Sequence, residues 1–245
     1  MARIDILEPD VALDNPIVIE GFPGVGLVGK IAVDHLVAHF EMTHYANVHC
    51  EGIPPVATYQ HENSRLMVPV RLYVDTEHDL LALQSDIPIG PPAATEFATC
   101  VAGQFAELNV LPVYLSGLGR KPEGEPTLYG VGTGDGPARL AEAGIDTPSE
   151  MGLVSGPTGA LLAHAVEHES TAIGLIVECD PQFPDPKAAR AVIEQGLEPI
   201  AGISVPTDTL SDRAEEIERA RQQLIQRMQQ ATDESSRAQP LRMYQ

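Results

Sequence analysis

Apolar and polar positions along this chain switch repeatedly between two periods, and the switches mark alternating strands and helices. Residues Pro16-Ile17-Val18-Ile19-Glu20 are nearly continuous in apolarity and rich in β-branched side chains, the pattern of a strand covered on both faces. Ile31, Val33, Leu36, Val37 and Phe40 then recur at helical spacing, so an amphipathic helix follows. The same reading predicts strands at Arg3 to Leu7, Tyr45 to Cys50, Arg65 to Val74, Leu80 to Gln84, Val110 to Ser116, Leu128 to Gly132 and Thr171 to Val177. Helices are predicted at Ala93 to Asn109, with Pro92 in the first turn, and at Ala138 to Ala143, Ala160 to His168 and Pro186 to Glu198. Strands alternating with helices over short loops imply an α/β fold, a mostly parallel sheet with helices on both faces.

Beyond Thr207 the pattern changes. Leu210, Ala214, Ile217, Leu224, Met228 and Ala231 form a heptad-like seam, interrupted by Arg221 and capped at Thr209 or Ser211. Such a helix packs on its own domain or on a partner. Asp233 to Pro240 is polar and linker-like, and the chain closes on Leu241-Arg242-Met243-Tyr244-Gln245. The predicted organisation is therefore an α/β domain over residues 1–208, a C-terminal helix over 209–232 and a flexible tail over 233–245.

Between the first buried strand and its helix lies a glycine-rich turn containing Gly21, Gly24, Gly26 and Gly29. Gly24-x-Gly26-x-x-Gly29 fits a dinucleotide fingerprint, in which glycines let a pyrophosphate approach a helix N-terminus. Residues 24–30 also fit most of a Walker loop, but Ile31 stands where a magnesium-binding hydroxyl is needed. Pro23 interrupts the dinucleotide pattern, and Glu51, near the spacing for a ribose-binding acid, precedes the break Gly52-Ile53-Pro54-Pro55. The plainer reading, close packing and positive φ, is preferred.

Charge narrows the partners. Acidic residues number 35 against 15 basic ones, a net charge of −20, and the lysines are Lys30, Lys121 and Lys187. A nucleic-acid partner is not expected of such a surface. A lysine-poor acidic surface over an ordinary core suggests a halophilic setting, where salt screens the repulsion. No apolar run reaches the roughly 18 residues of a membrane span, and Met-Ala-Arg-Ile-Asp lacks a signal peptide's apolar region, so a cytoplasmic location is expected. Cys50, Cys100 and Cys179 are widely spaced and read as buried thiols.

Weaker constellations remain. His164-Ala165-Val166-Glu167-His168 matches a His-x-x-Glu-His zinc pattern without a third ligand, and His35 and His39 share i,i+4 spacing without an acid, so no metal is expected. Glu178, Asp180 and Asp185 follow a strand at the usual site edge of a parallel sheet, where loop solvation is the favoured account. Ser155-Gly156 has no identifiable base, and Thr158 is a candidate helix cap.

The turn over residues 21–29, the turn Ser155-Gly156-Pro157-Thr158-Gly159, and Asp185-Pro186-Lys187-Ala188-Ala189 with its following helix resemble the proteasome assembly chaperone family, in its archaeal branch, over about residues 1–208. The resemblance implies a fold like that of purine nucleoside phosphorylases without the catalytic residues. It further implies no enzymatic activity and no cofactor, a homo-oligomer, and proteasome α-subunits as partners. Met243-Tyr244-Gln245 resembles the hydrophobic-Tyr-any terminus by which proteasome activators dock between α-subunits. A terminal carboxylate, an aromatic ring with a polar tip and a pliable Met suit such a cleft, and several tails on one oligomer raise effective concentration. The expected function is an assembly chaperone or activator docking on the α-ring. The alternative is a nucleotide- or nucleoside-binding, hydrolase-like enzyme using Gly24 to Gly29.

Overall fold

Val18 and Ile19 are almost fully buried, as unbroken apolarity requires of a central strand. The computed structural model describes residues 3–59, 64–212 and 214. Its strands are β1 (Arg3–Ile6), β2 (Ile17–Gly21), β3 (Thr43–His49), β4 (Val70–Asp75), β5 (Leu80–Ser85), β6 (Leu111–Leu118), β7 (Leu128–Thr133) and β8 (Ala172–Glu178). Its helices are α1 (Val28–His39), α2 (Pro91–Glu107), α3 (Gly136–Glu142), α4 (Gly156–Glu167), α5 (Pro186–Val192) and α6 (Glu198–Ala201).

The eight strands form one sheet in the order β1-β3-β4-β5-β2-β6-β8-β7. Here the expectation of a mostly parallel sheet is corrected, because the sheet is mixed. Only β5, β2, β6 and β8 run parallel. The β1-β3, β3-β4, β4-β5 and β8-β7 pairs are antiparallel. Short connections are the reason: β4 and β5 are joined by residues 76–79, which is hairpin length and too short for a crossover helix. Residues 65–69, read as part of a strand, hold only an isolated Thr58–Met67 bridge before β4 begins.

Two apolar layers flank the sheet. Val33, Leu36, Leu115, Leu175, Ala188 and Val192 pack with α1 and α5 on one face. Val18, Leu83, Phe97, Val101, Tyr114 and Leu161 pack with α2 and α4 on the other. The predicted helix after Pro186 continues from α5 through a π-helical stretch, Ile193–Leu197, into α6. A further helix starts at residue 208, with Leu210 fully buried and Ala214 nearly so. Thr207, not Thr209 or Ser211, stands at its start, where its carbonyl accepts from the Leu210 and Ser211 amides. The remainder of the predicted C-terminal helix and the whole tail lie outside the described residues.

Candidate functional site

In parallel sheets ligands sit beyond the carboxyl ends of the strands, where neighbouring crossovers leave on opposite faces. That place here is the gap between β2, which leads into α1, and β5, which leads into α2. The glycine turn lies at its rim, so the expected ligand loop is correctly positioned. The molecule nevertheless fills the space with its own groups.

Gly21 ends β2, and a Cβ there would come within 2.4 Å of Val33 Cβ and 2.8 Å of the Gly29 carbonyl, so the glycine brings strand and helix together. Gly26 has φ of 64° and accepts a hydrogen bond on its carbonyl from the Asp185 amide at 2.8 Å. A Cβ on Gly26 would meet Cys179 Sγ at 2.9 Å. Gly29 packs over Leu115, whereas Gly24 has open space beside it. Three of the four glycines are therefore occupied by contacts within the chain, and the backbone that would cradle a pyrophosphate is covered by Cys179 and the segment reaching Asp185.

Lys30, the lysine of the partial Walker match, is equally committed. Its Nζ donates to Asp34 at 2.6 Å and lies 3.3 Å from Asp86, across the gap between α1 and the end of β5. Asp86 also meets Arg71 of β4 at 2.8 Å. Arg71 is completely buried; its Nη2 donates to Gln84 at 2.8 Å and its Nε to the Tyr73 hydroxyl at 3.0 Å. Gln84 in turn donates to Asp34, which closes the network. Burial would raise the Asp86 pKa, but the hydrogen bond and charge of Arg71 and the charge of Lys30 outweigh it and hold the carboxyl below its usual range. Lys30 and Arg71 are thus each paired with carboxylates of the chain itself.

The sequence reading passed over Glu20. Its carboxylate is 1% exposed on β2 and accepts from the Phe22 amide at 2.8 Å, the Leu115 amide at 3.3 Å and the Thr158 hydroxyl at 3.0 Å. Thr158 therefore ties α4 to the sheet instead of capping its helix, and Ser155 holds the cap position without a side-chain bond. Burial pushes the Glu20 pKa up to about 7 despite those three donors, and burial, followed by the charge of Glu20, raises that of Tyr114. The available signal was a lone acid inside an apolar strand.

The acidic cluster is likewise local structure. Asp185 caps α5 by accepting from the Ala188 amide at 3.0 Å and also accepts from the Asp180 amide at 2.9 Å. Glu178 pairs with Arg120 at 3.5 Å. This corrects the loop-solvation account of Asp185. His164 and His168 stack with ring centroids 3.9 Å apart. Burial and then the His168 charge lower the His164 pKa. Among the described residues no group of three His, Cys, Asp or Glu side chains is placed to hold a metal, and no helix is long and apolar enough to cross a membrane. The glycine site and its neighbours are described in full, whereas Met243, Tyr244 and Gln245 lie outside the described residues.

A mixed sheet with helices on both faces, its switch point closed by its own side chains, defines an α/β protein whose usual ligand crevice is filled from within. The chain belongs to the PAC2 family, whose model matches residues 18–225, and the resemblance read from the turns is thereby established. It is 28% identical to the uncharacterized protein MJ0106 of Methanocaldococcus jannaschii over 232 residues, which cover 94% of each chain. Among solved structures it is similar to Pyrococcus furiosus PbaA, described as an archaeal homolog of proteasome-assembly chaperone. The TM-score is 0.79 at 26% identity, over 96% of this chain and 95% of that one. It shares its fold with P. furiosus PbaB, described as an archaeal proteasome activator, at TM-score 0.75 and 24% identity, over 91% of this chain and 98% of that one.

Proposed function

We propose that this protein is a non-enzymatic, proteasome-binding homo-oligomer that docks on the α-ring through its C-terminal tails, assisting ring assembly or acting on the gate. One observation carries the reading: the crevice where an α/β enzyme of this topology would take its ligand is bridged by Lys30, Asp86 and Arg71. What then remains for contact with other molecules is the outer surface and the chain end. The full-length likeness to PbaA supplies the class of partner. In this proposal Met243, Tyr244 and Gln245 make the docking contact, and the helix over residues 209–232 sets its reach. A phosphorylase-like ancestry, a cytoplasmic location and a surface suited to concentrated salt belong to the same proposal.

The test is co-purification of the proteasome with the full chain and with a chain lacking residues 243–245, followed by peptide hydrolysis. Loss of the terminal three residues is expected to lower capture at least tenfold while the melting temperature stays unchanged. Equal capture by the two chains overturns the tail mechanism. Raised hydrolysis identifies a gate activator, and unchanged hydrolysis with retained capture identifies an assembly factor. Stabilisation of the protein by nucleosides, inorganic phosphate or dinucleotides would restore the enzyme reading.

A further inference from the structure

Two of the three cysteines are brought together where β3 runs out against α2. Cys50 directly follows β3, and the Ile53 amide donates to its carbonyl at 3.2 Å, which closes a turn beside the helix. The approach is close, because a Cβ on Gly52 in that turn would come within 2.7 Å of Ala93 Cβ in the first turn of α2. Cys100 lies seven residues further along α2, a spacing that returns a helix to the same face after two turns. Strand β1 gives a second fix. Arg3 pairs in register with His49, the residue before Cys50, and Arg3 and Ile4 line one surface hollow together with Cys100. Ile4 and Cys50 also pack in the apolar layer that holds Phe97 and Val101 of α2. Both thiols are half-buried. Burial, then the charges of Glu96, Cys100 and Glu51, push the Cys50 thiol up to about 11, so the two sulfurs stand within reach of each other's charge.

We infer that Cys50 and Cys100 form an oxidisable pair, which a peroxide closes into a disulfide tying the end of β3 to α2. Position selects these two. Cys179 is fully buried in the layer on the other face of the sheet, its Sγ 3.6 Å from the Val25 and Leu118 carbonyls. Cys100 opens on the hollow beside β1, which admits a small oxidant. One sulfur, as thiolate, attacks a peroxide oxygen; the O–O bond breaks, a sulfenic acid forms, and the released hydroxide takes up the thiol's proton as the first water. The second sulfur then attacks the first, the S–S bond forms, the S–O bond breaks and a second water leaves. Two thiols and one hydrogen peroxide thus become one disulfide and two waters. Burial and the charge of Glu96 raise the pKa of both thiols and keep them protonated, so the pair is reduced at rest and answers a sustained oxidant.

The full chain is treated in its folded state with hydrogen peroxide, then denatured, alkylated and digested. The expected product is two hydrogens lighter, contains a peptide joining Cys50 to Cys100, and keeps one alkylatable thiol, that of Cys179. A thiol reductant should restore all three. The bridge closes a loop of about 50 residues and restricts the unfolded chain, so the oxidised protein is expected to melt several degrees higher until it is reduced. Cys50→Ser and Cys100→Ser should each form no bridge, whereas Cys179→Ser should keep it. The peptide map of the parent needs no variant and decides the matter even if one of them folds poorly. Three free thiols in the treated parent, a bridge that includes Cys179, a bridge between two molecules, or sulfinic acid in place of the disulfide would each overturn the inference. So would a bridge that lowers the melting temperature, since the fold would then not hold the two sulfurs ready for it.

Discussion

The glycine turn and the loop of residues 147–155 border the same end of the sheet, and they reverse what their sequences suggest. The turn carries the strongest motif in the chain, yet Val33, Cys179, Asp185 and the Lys30–Asp86 pair close it from inside. The loop carries no motif, yet it leaves Met151 and Leu153 in water above half-covered strands. A motif reports which backbone conformations are permitted; vacancy depends on what the rest of the chain places there. Contact with other molecules is therefore to be sought where the chain fails to satisfy itself.

Glu20 gives the sharpest test of the closed region. Its folded pKa of about 7 lies above the ordinary 4.5, so the folded state holds this proton more tightly than the unfolded chain does. The resulting stability is fully present below about 4.5 and is lost as pH rises through about 7, a gap corresponding to about 3 kcal/mol. Unfolding free energies of the parent and of Glu20→Gln, measured from pH 5 to pH 8, should therefore diverge, the parent falling more steeply. Parallel curves would show that Glu20 is not strained by burial.

Next in size is Gly21→Ala. The added methyl would lie 2.4 Å from Val33 Cβ and 2.8 Å from a backbone carbonyl, so β2 and α1 must separate. Overpacking of this kind costs about 1–3 kcal/mol, read from the denaturant midpoint. If the substitution is neutral, the turn has slack and the claim that it is sealed fails. The smallest effect belongs to the open region, where Met151→Asp/Leu153→Asp should change the stability of the isolated subunit by less than about 0.5 kcal/mol. A large loss there would mean that the loop packs on its own domain, and the contrast between the two regions would disappear.

Much of the fold was legible in the sequence because periodicity reports burial. The apolar run at residues 16–20 and the stripe Ala94, Phe97, Val101 and Phe105 are found as β2 and as the buried face of α2. Strand direction was not legible, since a residue alternates or repeats in the same way whichever way its neighbour runs. Arg71 shows a second limit. It sits inside an apolar strand, and only the arrival of Asp86 and Gln84 at its guanidinium explains how the charge is tolerated.

By itself the sequence determined the α/β class, the position of the glycine turn between strand and helix, the acidic surface and the family. Each depends on local pattern, composition or the order of short motifs, which a linear chain displays. Tertiary structure alone decided that Gly21, Gly26 and Gly29 are packed against the chain's own groups, that Glu20 is buried among three donors, and that Tyr129, Val131 and Ile176 line an open groove among the described residues. Occupancy and exposure arise from residues far apart in the chain, such as Gly26 with Asp185 and Glu20 with Thr158, whose meeting no local period encodes.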